Sequence, residues 1–181
     1  MVAALGKAFR RWSLVSKGWL LSNTIFLRQA TTADASAIQS LTRQAYGKWV
    51  AVAGREPKPM TADYNLAVRN HRIDLLCSGD ALIGLIEMIP AIDHLLIENV
   101  AVAPAFQGNG FGRRLLTNAE HVAATLGYGL IRLYTNKLFT ENIELYSRFG
   151  YRIDREEVLG GRTAVHMSKP VQSIRGPAES Q

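Results

Sequence analysis

Cysteine is almost absent from the 181 residues: Cys77 stands alone, so neither an intrachain disulfide nor a cysteine-built zinc site can form. The four histidines, His71, His94, His121 and His166, are scattered, and none pairs at the spacing of a helical metal site. No run of 18 apolar residues occurs, which argues against a spanning helix. Internal repeats and low-complexity segments are missing too. Acidic residues do not begin until Asp34. These gaps lead us to expect a soluble protein of a reducing compartment, the cytoplasm, with no structural metal. The length suits one domain with tails, and 48% hydrophobic residues can supply its core.

The net charge of +6 is unevenly spread. Residues 1–22 carry Lys7, Arg10, Arg11 and Lys17 with no acid, whereas residues 23–170 are close to balanced. That body lacks a basic stripe interleaved with aromatics, so no nucleic-acid partner is expected. At helical spacing Leu5, Ala8, Phe9, Trp12, Val15 and Trp19 share one side of the arm. Such an arm suits an anionic membrane surface or a targeting role. It equally suits a helix docked on the domain, or a translation start placed too early. Ser13, Ser16, Lys17 and Gly18 interrupt the apolar stretch, unlike a secretory signal. We therefore divide the chain into an arm (1–22), a domain (23–170) and a frayed tail (171–181).

Within the domain, Thr24–Gln29 reads as a strand. A helix capped by Thr32 or Asp34 runs to about Val52, and Gly54–Pro59 breaks the chain. Thr61 caps a short helix ending at Asn70. Ile73–Ser78 and Ala81–Ile89 form a hairpin around Gly79-Asp80. A turn at Pro90–Asp93 precedes a strand, His94–Val102. Gly112–Leu126 is a helix with Leu115, Leu116, Ala119, Val122, Ala123 and Leu126 on its buried face, stopped by Gly127. Leu130–Thr135 is a strand and Thr140–Phe149 a helix ended by Gly150. Strands near Tyr151–Val158 and Arg162–Lys169 follow. Cys77, in a buried strand, is expected to pack rather than react.

Between the third of these apolar strands and the long helix lies Gln107-Gly108-Asn109-Gly110-Phe111-Gly112-Arg113-Arg114. Glycines at a helix start let several backbone N–H groups face one ligand, and the helix dipole favours an anion there. Arg113 and Arg114 are unfavourable for the helix itself, so a bound phosphate would account for them. The turn lacks the Lys-Ser or Lys-Thr of a Walker A loop. Gly112 also comes one residue too soon for a dinucleotide fingerprint. Q/R-x-x-G-x-G/A is satisfied.

This loop, the lead Val100-Ala101-Val102-Ala103-Pro104, and Leu145-Tyr146-Ser147-Arg148-Phe149-Gly150-Tyr151 about 35 residues on resemble the GNAT superfamily of acetyl-CoA-dependent N-acetyltransferases. The element order over roughly 24–170 is similar to that family's. The resemblance implies an α/β (mixed α+β) fold. Its twisted, mostly antiparallel sheet would have six or seven strands and flanking helices, splayed at a bulge in the motif strand. It implies acetyl-CoA as co-substrate, an amine acceptor and no metal; paired subunits are common in the family. Backbone groups of Val100, Ala101 and Val102 would meet the pantetheine arm. Gln107, Gly108, Asn109, Gly110, Phe111, Gly112 and Arg113 would hold the pyrophosphate.

The chemistry sets two further needs. A lysine-like amine, with a pKa near 10.4, must lose a proton before attack, and a departing thiolate is helped by a donor. By resemblance Tyr146 is the acid; otherwise it is a core tyrosine at a helix–sheet contact. By strand alternation His94, Leu96, Glu98 and Val100 share one face until a bulge intervenes. Glu98 is then the base or water relay, or simply a carboxylate satisfied by its surroundings. His94 lies two pleats further out, as a base for a larger substrate or a surface residue beside a turn. Phe139 stands where many members carry an asparagine that touches the cofactor. Asn142, one helical turn before Tyr146, can replace that amide. Acceptor pockets in the family draw on the segments matching Ala53–Met60 and Gly160-Gly161. Glu56, Glu98 and Asp93 hint at a cationic acceptor. Two alternatives stay open: a non-catalytic acyl-CoA sensor or partner module, and an enzyme acting on protein α-amines or lysines.

Overall fold

The turn chemistry of Gly79-Asp80 and of Gly160-Gly161 brings neighbouring strands together as hairpins, with Gly79, Gly160 and Gly161 all at positive φ. A computed structural model describes residues 24–172; the arm and nearly all of the predicted tail lie outside them. Its elements are β1 (Ile25–Gln29), α1 (Ala35–Ala53), α2 (Tyr64–Asn70), β2 (Arg72–Ser78), β3 (Ala81–Pro90), β4 (Leu95–Val102), α3 (Phe111–Thr125), β5 (Leu130–Asn136), α4 (Thr140–Arg148), β6 (Arg152–Leu159) and β7 (Arg162–Pro170). The strands form one sheet in the order β1-β2-β3-β4-β5-β7-β6. All pairs are antiparallel except β4 with β5.

Two apolar layers cover the central strands. On one face α3 buries Leu115, Leu116, Ala119, Val122 and Ala123 against Ile86, Met88, Leu95, Ile97, Ile131 and Met167. On the other, Ile38, Leu41 and Ala45 of α1 and Tyr64 and Ala67 of α2 pack on Ile73, Leu75, Cys77, Leu85 and Ala101. With both faces covered, β2 and β3 read as nearly continuous apolar runs. Cys77 is buried in that second layer, as its strand position implied.

One predicted cap shifts, and the other, Asp34, stands at the N-cap of α1 although its side chain accepts no amide of that helix. Asp63, not Thr61, caps α2: its carboxylate accepts from the Asn65 and Leu66 amides at 3.0 and 3.1 Å. Lys58–Thr61 instead forms a separate 3₁₀ turn. Ahead of α1, Thr32–Asp34 is also a 3₁₀ turn, and Asp34 accepts from the Thr31 amide and from Arg28. The helix thus starts at Ala35 and ends where Gly54 turns left-handed at φ 68°.

β4 is the strand that shapes the site. Glu87 of β3 pairs with Asn99 and Met88 with Ile97, so Glu98 is the extra residue of a bulge. The bulge swaps faces: Leu95 and Ile97 point into the α3 layer, whereas Ala101 points into the α1 layer. Val100 packs toward α3 and no longer shares a face with Leu96, as unbroken alternation would require. Parallel pairing with β5 ends at Ile97–Leu133. Beyond that point the two strands part, and the expected splay is present.

Candidate active site

Two cavities meet where β4 and β5 separate. One, of about 430 Å³, is lined by residues of the α1–α2 connection, β4, β5 and β7. The other, of about 940 Å³, runs along Val100–Val102 to the glycine-rich loop and α4. Tyr46, Val100, Asn142 and Tyr146 line both.

The loop groove is built from backbone. Gly108 and Gly110 adopt φ of 77° and 81°, which glycine reaches without a Cβ penalty. The Gln107 side chain donates to the Val102 carbonyl at 2.9 Å. That of Asn109 donates to the Phe106 and Gln107 carbonyls at 3.2 and 3.1 Å. These two side chains brace the turn rather than point at a ligand. Arg114 is the first amide of α3 to find a backbone acceptor, the Gly110 carbonyl at 3.1 Å. Among the described residues no loop carbonyl or capping side chain takes the amides from Gly108 to Arg113. They therefore form a nest with the character of an anion site.

The two arginines separate. Arg113 lines the groove, its guanidinium 5.6 Å from the Phe149 ring centre. Arg114 turns away and donates to the Ile25 carbonyl at 2.9 Å, so its charge supports β1 instead of the loop. Lys48, Arg148 and Lys169 also line the groove, each on a carboxylate: Glu141, Glu144 and Glu120 respectively. Arg113 has no ion-pair partner among the described residues.

Tyr146 lies at the junction, 9% exposed, its ring edge-on to Tyr151 with centroids 5.9 Å apart. Burial pushes its phenol up to about 12, and no neighbouring charge or hydrogen bond contributes. Phe139 is buried and stacks on Trp49 at 4.5 Å, so this position packs α4 onto α1. Asn142 lines both cavities.

Glu98 sits on the bulge and faces the smaller cavity. It accepts from Tyr134 Oη at 2.8 and 2.9 Å and from Lys58 Nζ at 2.6 Å. The Lys58 ammonium is held charged well beyond the usual lysine range, chiefly by that hydrogen bond to Glu98. Behind Glu98 a third cavity of about 200 Å³ leads to Glu87 and His71, which lie 2.6 Å apart. Burial raises the Glu87 carboxyl. His94 lines none of these cavities and is bound to Asp93 at 2.6 Å. The hint of a cationic acceptor also weakens. Glu56 is spent on Arg43, and Asp93 lies outside all three cavities, beside His94 and Arg132.

Residues that sequence reasoning missed hold this geometry. Asn99, 2% exposed, accepts from Tyr46 Oη at 2.9 Å and donates to Tyr64 Oη at 3.0 Å. Tyr64 in turn donates to the Pro59 carbonyl at 2.9 Å. The chain ties the segment carrying Lys58 to the bulge. Polar-tipped aromatics at buried positions of α1 and α2 were its only trace in the sequence. Asn99→Ala removes one hydrogen-bond partner from each of the Tyr46 and Tyr64 hydroxyls, and we expect it to cost about 1–3 kcal/mol. A fall in the urea midpoint with unchanged slope measures this; an unchanged midpoint contradicts it.

Among the described residues no group of three His, Cys, Asp or Glu side chains converges as a metal site would need. No helix among them is long and apolar enough to cross a membrane.

Comparison with known proteins gives this arrangement a lineage. A GNAT-family protein from Desulfovibrio desulfuricans superposes with a TM-score of 0.68 at 18% identity, over 82% of this chain and all of that one. A GNAT-family acetyltransferase from Elizabethkingia anophelis, solved with acetyl-CoA bound, gives 0.63 at 19% identity, over 81% of this chain and 97% of that one. At such identities the likeness is one of fold. The uncharacterized N-acetyltransferase YvbK of Bacillus subtilis is 31% identical over 77 residues, which is 42% of this chain and only half of that protein. Residues 36–151, spanning α1 to the turn after α4, match the family described as Acetyltransferase (GNAT) family. The chain belongs to that family of acetyltransferases.

Proposed function

We propose that this chain carries an acetyl group directly from acetyl-CoA to a primary amine. The observation that carries the reading is the shared wall of Tyr46, Val100, Asn142 and Tyr146 between a groove fit for a nucleotide and a smaller pocket. The groove suits coenzyme A. Its amides at Gly108–Arg113, without a protein acceptor among the described residues, match a diphosphate, and Arg113 adds a cation that is likewise unpaired among them. The opened edge of β4, at Val100, Ala101 and Val102, offers backbone groups to an amide-bearing arm. Bound there, acetyl-CoA supplies an activated acyl group on sulfur.

The protein's own residues then handle protons. Glu98, directly or through water, takes a proton from the acceptor ammonium, and the free nitrogen forms the new N–C bond. As the C–S bond breaks, Tyr146 gives its proton to sulfur, the nitrogen sheds its second proton to water, and the phenolate takes a proton back from solvent. Its raised pKa keeps the phenol protonated at any physiological pH. The base is assigned to Glu98 rather than His94 because only Glu98 faces the pocket. The kinship to a protein named an N-acetyltransferase and to a fold solved with acetyl-CoA supports the co-substrate.

A thiol-release screen over amines tests the reading. Turnover with at least one amine class is expected. Tight coenzyme A binding with no thiol release across a broad panel favours the sensor alternative. Turnover restricted to peptides favours a protein acetyltransferase.

Gly110→Val tests the nest separately. Open space surrounds the new Cβ, so nothing clashes, but a β-branched residue at φ 81° is strained. A strain of about 1–2 kcal/mol implies roughly a tenfold loss of coenzyme A affinity by calorimetry. Unchanged affinity removes the loop from the binding site.

A further inference from the structure

Six residues able to carry charge line the smaller cavity: Arg55, Glu56, Lys58, Glu98, Arg162 and His166. Both acids are neutralised. Glu56 is bound by Arg43, which does not line the cavity, and Glu98 by Lys58 and the Tyr134 hydroxyl. His166 is taken up by Glu157, 2.9 Å away. Arg55, in the turn after α1, and Arg162, at the start of β7, have neither an ion pair nor a side-chain hydrogen bond among the described residues. Two arginines without a partner among the described residues, from separate parts of the fold, therefore line one pocket. The remaining lining is apolar or neutral, with Pro57, Pro59, Leu133 and Phe139 as examples.

Resting on the acetyltransferase reading, we propose that the acceptor is a small amine bearing an anionic group, a carboxylate or a phosphonate-like oxyanion, received by Arg55 and Arg162. A guanidinium presents paired N–H donors that match such an anion, and it stays charged throughout. A polyamine would bring its second ammonium among Arg55, Lys58 and Arg162 and be repelled. The same cations act on the reacting nitrogen. An ammonium placed near Lys58 loses its proton more readily than one in water, which favours its transfer to Glu98.

A ladder of matched acceptors tests this with the full chain and acetyl-CoA. Glycine, β-alanine, 4-aminobutyrate and 6-aminohexanoate are compared with their amides, with n-alkylamines of equal length and with 1,4-diaminobutane. 3-Aminopropylphosphonate tells a phosphonate from a carboxylate preference. The expected result is a kcat/KM at least tenfold higher for one of the acids or the phosphonate than for its neutral counterpart, with the diamine poorest. In the Arg55→Gln, Arg162→Gln double variant that ratio should fall toward one, mainly through KM. Neutral amines or the diamine turned over as well as the acids overturn the proposal while leaving acetyl transfer intact. So does a preference that survives the double variant. No turnover in any arm, with coenzyme A binding confirmed by calorimetry, overturns this proposal; the acetyltransferase reading falls with it only if the broad screen over amines and peptides is silent too.

Discussion

Tyr146→Phe should lower kcat by about 10²-fold or more, the scale expected of a positioned general acid, and leave coenzyme A affinity nearly unchanged. The substitution removes one oxygen. The ring keeps its edge-on packing with Tyr151, and the hydroxyl has no hydrogen bond contributing to its protonation state, so little stability is at stake. Burial holds the phenol pKa up to about 12. Raising it favours the neutral form, so the donor stays in place across neutral and moderately alkaline pH. The loss in the variant should therefore be flat from about pH 6 to 10, the ordinary phenol value being near 10 and the shift upward. Thiol release under saturating acetyl-CoA measures it. Rates within twofold of the parent at every pH would remove Tyr146 from the chemistry and leave it as a packing residue between α4 and the sheet.

Glu98→Gln carries the second large effect. Glutamine keeps the shape and can still accept from Tyr134 and Lys58, but it cannot take a proton. We expect kcat/KM to fall about 10²-fold at neutral pH. The Lys58 side chain is 69% exposed and that of Glu98 17%, so the urea midpoint measured beside the rate separates lost stability from lost chemistry. The pH profile discriminates further. An alkylamine near pKa 10.4 becomes roughly 10³-fold more deprotonated between pH 7 and 10. An enzyme without its base must rely on that pre-formed free amine. The variant should therefore recover steeply with pH, closing the gap to the parent at the alkaline end. Two parallel profiles would assign proton removal elsewhere.

Much of this arrangement was legible in local chemistry. Gly79-Asp80 announced a hairpin, Gly108 and Gly110 a nest, and the spacing from Leu115 to Ala123 a helix with one buried face. What escaped depends on pairing partners far apart in the chain. The bulge at Glu98 is a property of register, since it exists only because Glu87 meets Asn99 and Met88 meets Ile97. Lys58 reaches Glu98 across 40 residues through a turn whose composition signalled only a break. Two adjacent arginines read as one phosphate clamp, yet consecutive residues on a helix point about 100° apart. Arg114 was accordingly free to serve β1. The cap of α2 was misplaced because Thr61 and Asp63 both suit the role, and only backbone geometry chooses between them.

The common wall of the two cavities also bears on the order of events. The pocket around Glu98 shares Tyr46, Val100 and Asn142 with the groove, so whatever lies along β4 there borders an amine in the pocket. A pantetheine arm laid along β4 would close that side. On the proposed reading, affinity for the acceptor would depend on prior loading of the thioester, and initial-rate and product-inhibition kinetics should then show an ordered sequence with coenzyme entering first and leaving last.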